Sequence, residues 1–136
     1  MGDDRKVLAY HEAGHAIVAL ALGYRCYSVA VENGGKAVCD EPAEHALALL
    51  IASFIAESRC RGEDDIWRDE DDRVRAADLA LWIARGDIDT ASALLSTVTA
   101  QAKARVDEHW PQIEIIANAL VEKGRLTGEE ISTLIG

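Results

Sequence analysis

Apolar residues recur at helical spacing along most of the chain, and this pattern predicts a mainly α-helical fold. The first apolar stripe lies in residues 5–22 and ends at Gly23, a residue typical of helix C-termini. A second stretch, residues 43–61, begins after Pro42, ends at Gly62 and is apolar nearly all round, as a buried central helix would be. Further helices are predicted at residues 71–85, 87–109 and 113–123, and after the capping-box pair Thr127 and Glu130.

One segment instead predicts β structure. Residues 24–32 are rich in Tyr and Val, residues 33–35 read Asn-Gly-Gly, and residues 36–40 can form a return strand, which together indicate a small β-hairpin. The fold class is therefore mainly α (α+β). Since no repeat or linker interrupts the pattern, we expect residues 1–136 to form one domain. Trp82 lies on the apolar stripe of its predicted helix and is expected in the core.

Composition narrows the range of partners and compartments. The formal net charge is −10, with 24 acidic and 14 basic residues, which disfavours nucleic acid and anionic membrane surfaces as partners. No apolar run approaches the ~20 residues needed to span a bilayer, and the first residues lack a signal-peptide pattern, so we expect a cytoplasmic protein. Cys26, Cys39 and Cys60 are odd in number and form no CxxC pair, so they are expected to be unpaired thiols.

The motif that indicates a chemical function is HEAGH at residues 11–15. On a helix, positions i and i+4 lie on one face, so the imidazoles of His11 and His15 can reach a single metal ion. Glu12 is offset by one position, from which its carboxylate can reach a water bound to that ion and accept the water's proton. The spacing therefore predicts a Zn²⁺ site of the metallopeptidase type.

A catalytic zinc ion usually has three protein ligands and a water. Position along the chain does not decide which residue is the third. Periodicity and composition leave several candidates open: His45, Glu57, His109 and the acidic residues of the 63–72 loop.

Four segments resemble one known family. HEAGH, between RKVLAY and AIVALALG, resembles the opening of the peptidase domain of FtsH-type AAA zinc metalloproteases. ASFIAESRCRG at residues 52–62 is similar in layout to that family's GGRAAEE-type helix. DRVRAADLA at residues 72–80 resembles the segment that begins with the family's third zinc ligand, an Asp. ALVEKGRLTGEEISTLI resembles the family's C-terminal pattern of two helices and a short turn.

This resemblance implies a zincin-like helical domain with an HExxH helix, a small hairpin and a C-terminal helical bundle. It implies that Asp72 completes the zinc site with His11 and His15, and that Glu57 orients a zinc-bound histidine. A slip of one residue in the correspondence would select Asp71 in place of Asp72, and Glu57 is a second rival for the third-ligand position. The implied substrate is a peptide or an unfolded protein.

The chain also departs from the family. The ATPase module has no counterpart, and Ala52 and Ser53 replace the paired glycines, so we expect a stand-alone domain that acts without ATP. Two functions follow. The first is an ATP-independent zinc endopeptidase. The alternative is a non-catalytic, peptidase-like module that binds zinc or serves regulation or interaction. The sequence leaves assembly as a homo-oligomer open.

Overall fold

The computed structural model describes residues 2–63, 65–67 and 70–136, and within them the protein is mainly helical with one small sheet. This confirms the mainly α (α+β) class. The helices are α1 (Gly2–Ala21), α2 (Ala43–Arg61), α3 (Glu70–Ile83), α4 (Ile88–Glu108), α5 (Trp110–Lys123) and α6 (Gly128–Ile135).

The helix boundaries follow local signals in the sequence. Helix α2 has the predicted bounds, with Gly62 in the left-handed conformation at φ 75° directly after its last residue. Helix α5 begins at Trp110, earlier than predicted, because Pro111 occupies its first turn, where the missing N–H costs no hydrogen bond. The capping box before α6 is confirmed. The Glu130 N–H donates to Thr127 Oγ1 at 3.2 Å, and the Thr127 N–H donates to Glu130 Oε1 at 3.0 Å.

The predicted hairpin is present as strands β1 (Cys26–Ala30) and β2 (Lys36–Cys39), which pair antiparallel. A short 3-10 turn, Glu32–Gly34, connects them, with Asn33 in the left-handed region at φ 54°. A third strand that the sequence analysis did not predict, β3 (Arg125–Thr127), pairs with the other side of β1. The order is therefore β2-β1-β3, and β2 lies at one edge of the sheet.

The expectation of unpaired cysteines is wrong for two of the three. Cys26 and Cys39 are partners in the β1–β2 register, with Cα atoms 4.0 Å apart, and their sulfur atoms form a disulfide. Spacing along the chain did not reveal the pair because the cysteines are brought together by strand pairing. Cys60 is a free thiol. Disulfides are more common in oxidising compartments than in the cytoplasm. The cytoplasmic localisation therefore gains no support from this disulfide and stays a prediction.

The core is built mainly from α1, α2, α5 and the buried side of the sheet. Its largest fully buried aliphatic side chains include Leu47, Leu49, Ile51, Ile113, Ile116, Leu120 and Leu126. The placement of Trp82 in this core is wrong, because its side chain is 67% exposed on α3. No helix in the described residues is both long and apolar enough to cross a membrane.

Candidate metal centre

Helix α1 carries the HEAGH motif, and α2 packs closely across it. A Cβ atom on Gly14 would lie 2.6 Å from Ala56 Cβ and 3.3 Å from the carbonyl oxygen of Ala52, both on α2. Only glycine therefore allows this approach without a shift of one helix. The small residues on both helices bring α2 side chains within reach of His11.

His11 meets a carboxylate from α2. Its Nδ1 lies 3.2 Å from Glu57 Oε1, and the other oxygen of that carboxylate, Oε2, accepts a hydrogen bond from Arg61 Nη1 at 2.7 Å. Burial raises the pKa of Glu57, but the contacts with His11 and Arg61 outweigh it, so the pKa lies below its ordinary value and the group is ionised at neutral pH. A carboxylate at Nδ1 leaves Nε2 of the ring to bind a metal.

His15 lies one turn further along α1 and is more deeply enclosed. Burial, and to a smaller extent the positive charge of His11, lowers the pKa of His15 to about 4. The imidazole is therefore neutral at pH 7, which is the form that binds metal ions. Its Nε2 lies 3.6 Å from Oε1 of Glu41, a residue that follows β2.

Glu12 is buried beneath the turn of the hairpin, with 7% of the residue exposed. A Cβ atom on Gly35 would lie 2.7 Å from Glu12 Oε2 and 2.7 Å from Leu8 Cδ1, so the backbone at Gly35 passes directly over this carboxylate. Burial raises the pKa of Glu12, and the charge of His11 offsets part of the rise. A raised pKa makes the carboxylate a stronger proton acceptor.

Aromatic side chains support the site from the α2 side. The ring centroid of Phe54 lies 5.7 Å from that of His11 and 5.9 Å from that of Trp67, which belongs to the loop before α3. The acidic loop is thus connected to the HEAGH helix through an apolar layer. Of its carboxylates, Asp64 and Asp69 lie outside the described residues.

Contacts outside the HEAGH motif are seen for Asp72, His45 and His109. One contact of Asp72 is with Arg75 on the same helix, at 3.8 Å, and the role of Asp72 or of its neighbour Asp71 at a metal stays a prediction. His45 contacts the hydroxyl of Tyr24 through its Nδ1. His109 directly follows α4, where its Nδ1 lies 2.8 Å from Gln112 Oε1.

The surroundings of the ring nitrogens of His11 and His15 indicate whether a metal ion fits at the HEAGH motif. His15 Nε2 is buried and has no partner within hydrogen-bond geometry, a condition that normally costs free energy and that a metal ion would relieve. His11 Nδ1 is also buried without such a partner, but it faces Glu57 and is not the nitrogen left to bind a metal. Across residues 2–63, 65–67 and 70–136, no three His, Cys, Asp or Glu side chains are already gathered as a metal-binding group. The two imidazoles are close enough to interact electrostatically, and each has a carboxylate beside it, so these donor types suit Zn²⁺.

Two neighbours of the motif were missed in the sequence. Glu41 and Gly35 approach the HEAGH helix because the hairpin folds back over it, and no spacing in the chain signals such a contact. The residues 33–35 did indicate a turn, but not what lies under it. In sequence comparisons, no protein-family model matches the chain, and no curated protein is significantly similar to it.

Proposed function

We propose that the protein is a zinc-dependent metallopeptidase. The observation that carries this proposal is the buried carboxylate of Glu12 near His11, on the helix that also holds His15, whose imidazole is kept neutral by burial. A buried acid next to two metal-ligating side chains serves no evident packing purpose, because burying it costs free energy. As the base of a hydrolytic reaction it has a purpose.

In this proposal His11 and His15 bind the ion, and the third ligand is a carboxylate, which the family resemblance assigns to Asp72. A bound Zn²⁺ would supply a Lewis acid that polarises the scissile carbonyl group and lowers the pKa of a water molecule. Glu57 holds the His11 ring in the orientation for binding through Nε2.

Glu12 then performs two proton transfers. Its carboxylate accepts a proton from the attacking water as the water oxygen forms a bond with the carbonyl carbon. The same group afterwards donates that proton to the amine nitrogen as the peptide C–N bond breaks. Because Glu12 is buried and Gly35 lies against its carboxylate, little bulk water competes for it.

The edge strand supports a peptide as the substrate. Strand β2 begins next to Gly35, which lies over Glu12, and is followed by Glu41, which lies beside His15, so it runs along the candidate site. As the edge of the sheet it can pair with an extended peptide by backbone hydrogen bonds. Strand β1 cannot serve in this way, because β2 and β3 pair with its two sides.

The test is hydrolysis of a fluorogenic peptide library by the zinc-loaded protein and its Glu12→Gln variant. The amide is nearly isosteric but cannot accept the proton, so we expect zinc binding to persist and turnover to fall by about 10²–10⁴-fold. Glu44→Gln, at an exposed acid in the first turn of α2, is the matched control and should retain parental turnover.

Two results would redirect the proposal. Equal turnover in the parent and in Glu12→Gln, in samples shown to be free of a contaminating protease, would remove Glu12 from the mechanism. Zinc bound by both proteins, with no turnover by either, would favour the non-catalytic zinc-binding module.

A further inference from the structure

Glu41 is placed by rigid neighbours on both sides. Its carboxylate follows β2, where the Asp40 N–H donates to the carbonyl oxygen of Arg25 at 2.8 Å and the Cys26–Cys39 disulfide fixes the strand pair. On the other side, Pro42 accepts hydrogen bonds from the first turn of α2. The backbone position of Glu41 is therefore fixed, and its carboxylate lies beside His15.

The distance between the Glu41 carboxylate and the His15 ring is longer than a hydrogen bond. Glu41 Oε1 lies 3.6 Å from His15 Nε2, beyond the roughly 2.7–3.2 Å of an N–H···O hydrogen bond. The nitrogen is buried and has no hydrogen-bond partner among the described residues. Two ligands of one tetrahedral zinc ion, each about 2.0–2.2 Å from it, lie roughly 3.3–3.6 Å apart. The distance therefore suits two groups that share an ion better than two groups bonded to each other.

The carboxylate at His11 differs in its distance, although His11 Nδ1 is likewise buried without a hydrogen-bond partner. Glu57 Oε1 lies 3.2 Å from His11 Nδ1, within reach of a direct bond after a small rotation, and Arg61 holds the other oxygen at 2.7 Å. Glu57 is thus placed to orient a ring. Glu41 faces the ring nitrogen, Nε2, that would bind the metal on the second histidine.

Neighbouring acids are less suited to this role. Asp40 Oδ1 accepts a hydrogen bond from the Tyr27 hydroxyl at 3.0 Å. Glu44 lies beyond Pro42, in the first turn of α2. In the segment between β2 and α2, Glu41 is the carboxylate for which the structure gives a contact with the HEAGH helix.

We propose that Glu41 is the third protein ligand of the ion held by His11 and His15, in the position that the resemblance assigns to Asp72. This inference rests on the proposed metal site. It makes the hairpin part of the metal centre, since the ligand is supplied by the residue two positions after Cys39.

The test measures zinc affinity by competition with a chelator, for the full chain and for four variants: Glu41→Gln, Asp72→Asn, Glu44→Gln and His15→Ala. We expect Glu41→Gln to weaken zinc binding by more than about 100-fold, the upper end of the effect of a residue that only orients a ligand. Asp72→Asn and Glu44→Gln remove the same charge and should bind zinc within about threefold of the parent.

A cobalt-substituted sample provides a second readout, because the visible absorption of Co²⁺ depends on the groups that ligate it. Glu41→Gln should change this spectrum, while Glu44→Gln should leave it as in the parent. A purely electrostatic effect of Glu41 would weaken affinity without changing the spectrum, and that result would overturn the proposal. Circular dichroism verifies that each variant is folded, and Glu41→Ala replaces any Glu41→Gln sample that is not.

The remaining outcomes separate this proposal from the one on which it rests. If Asp72→Asn loses zinc and Glu41→Gln retains it, the third ligand is Asp72 and the inference is wrong, while the metal site stands. If His15→Ala binds zinc as tightly as the parent, the HEAGH site itself is wrong, and both proposals fail.

Discussion

Helices α1 and α2 form a much tighter pair than α3 and α4. Along α2, nine residues from Leu47 to Ser58 are buried, and Gly14 of α1 allows the two backbones to approach closely. Helix α3, by contrast, buries Ala76 and Ala80, and exposes large apolar side chains. The packing that stabilises the fold is therefore concentrated where the candidate site lies, and the α3–α4 pair contributes less.

This difference has a chemical meaning. A metal site requires ligands that are held within about 0.5 Å of their working positions by packed neighbours. The two histidines proposed as ligands lie on the helix with the closest packing, and Glu41, the proposed third ligand, follows a strand fixed by a disulfide. Substitutions in the α1–α2 pair should therefore impair both stability and metal affinity, whereas substitutions of the exposed apolar residues of α3 should affect neither strongly.

The largest stability effect is expected at Phe54, whose side chain is 2% exposed and contacts the rings of His11 and Trp67. Phe54→Ala should lower the free energy of unfolding by about 3–5 kcal/mol, because it removes a buried ring and leaves a cavity next to the site. Denaturant unfolding followed by circular dichroism measures the change. Phe54→Leu retains most of the volume and should lose less than half as much. A loss below 1 kcal/mol for Phe54→Ala would contradict the compact packing described here.

A smaller loss is expected at Gly14. Alanine favours a helix over glycine by up to about 1 kcal/mol, but overpacking costs about 1–3 kcal/mol, and the added methyl would lie 2.6 Å from Ala56 Cβ. Gly14→Ala should therefore destabilise the protein by about 1–2 kcal/mol. The control is the same substitution in an Ala56→Gly background, where the contact is absent and the loss should shrink or reverse. Equal losses in both backgrounds would show that the α1–α2 approach is not the cause.

The sequence predicted the features that depend on local signals and missed those that depend on contacts between distant elements. The bounds of α2 follow from Pro42 and Gly62, and the pairing of His11 with His15 follows from helical geometry, so local signals were sufficient. The position of Glu41 depends on a hairpin that folds over another element, and β3 has too few residues for a visible alternation. Such features arise from tertiary contacts, which periodicity does not encode.

Trp82 shows that hydrophobic periodicity does not predict how deeply a side chain is buried. A stripe of apolar residues on a helix predicts that one face is covered, but it does not predict how far the covering surface extends. Leu79 and Ile83 pack against the core, while Trp82, at the side of the same stripe, is left outside it. The sequence analysis therefore placed Trp82 on the apolar side of its helix but predicted the wrong depth for it.

The smallest effect is expected at Trp82 itself. With 67% of the residue exposed, Trp82→Ala should change the free energy of unfolding by less than about 0.5 kcal/mol, since little apolar area returns to water. Trp110 is the matched control, because it is partly buried and its ring stacks on Tyr10 at 5.2 Å and under Arg59 at 4.2 Å. Trp110→Ala should lose at least about 2 kcal/mol, in line with the loss of a packed aromatic group. Denaturant unfolding of the two variants in parallel decides the comparison. Equal losses would mean that Trp82 is covered in solution, by another chain or by a movement of α3, and that the α3–α4 pair is packed as well as the site.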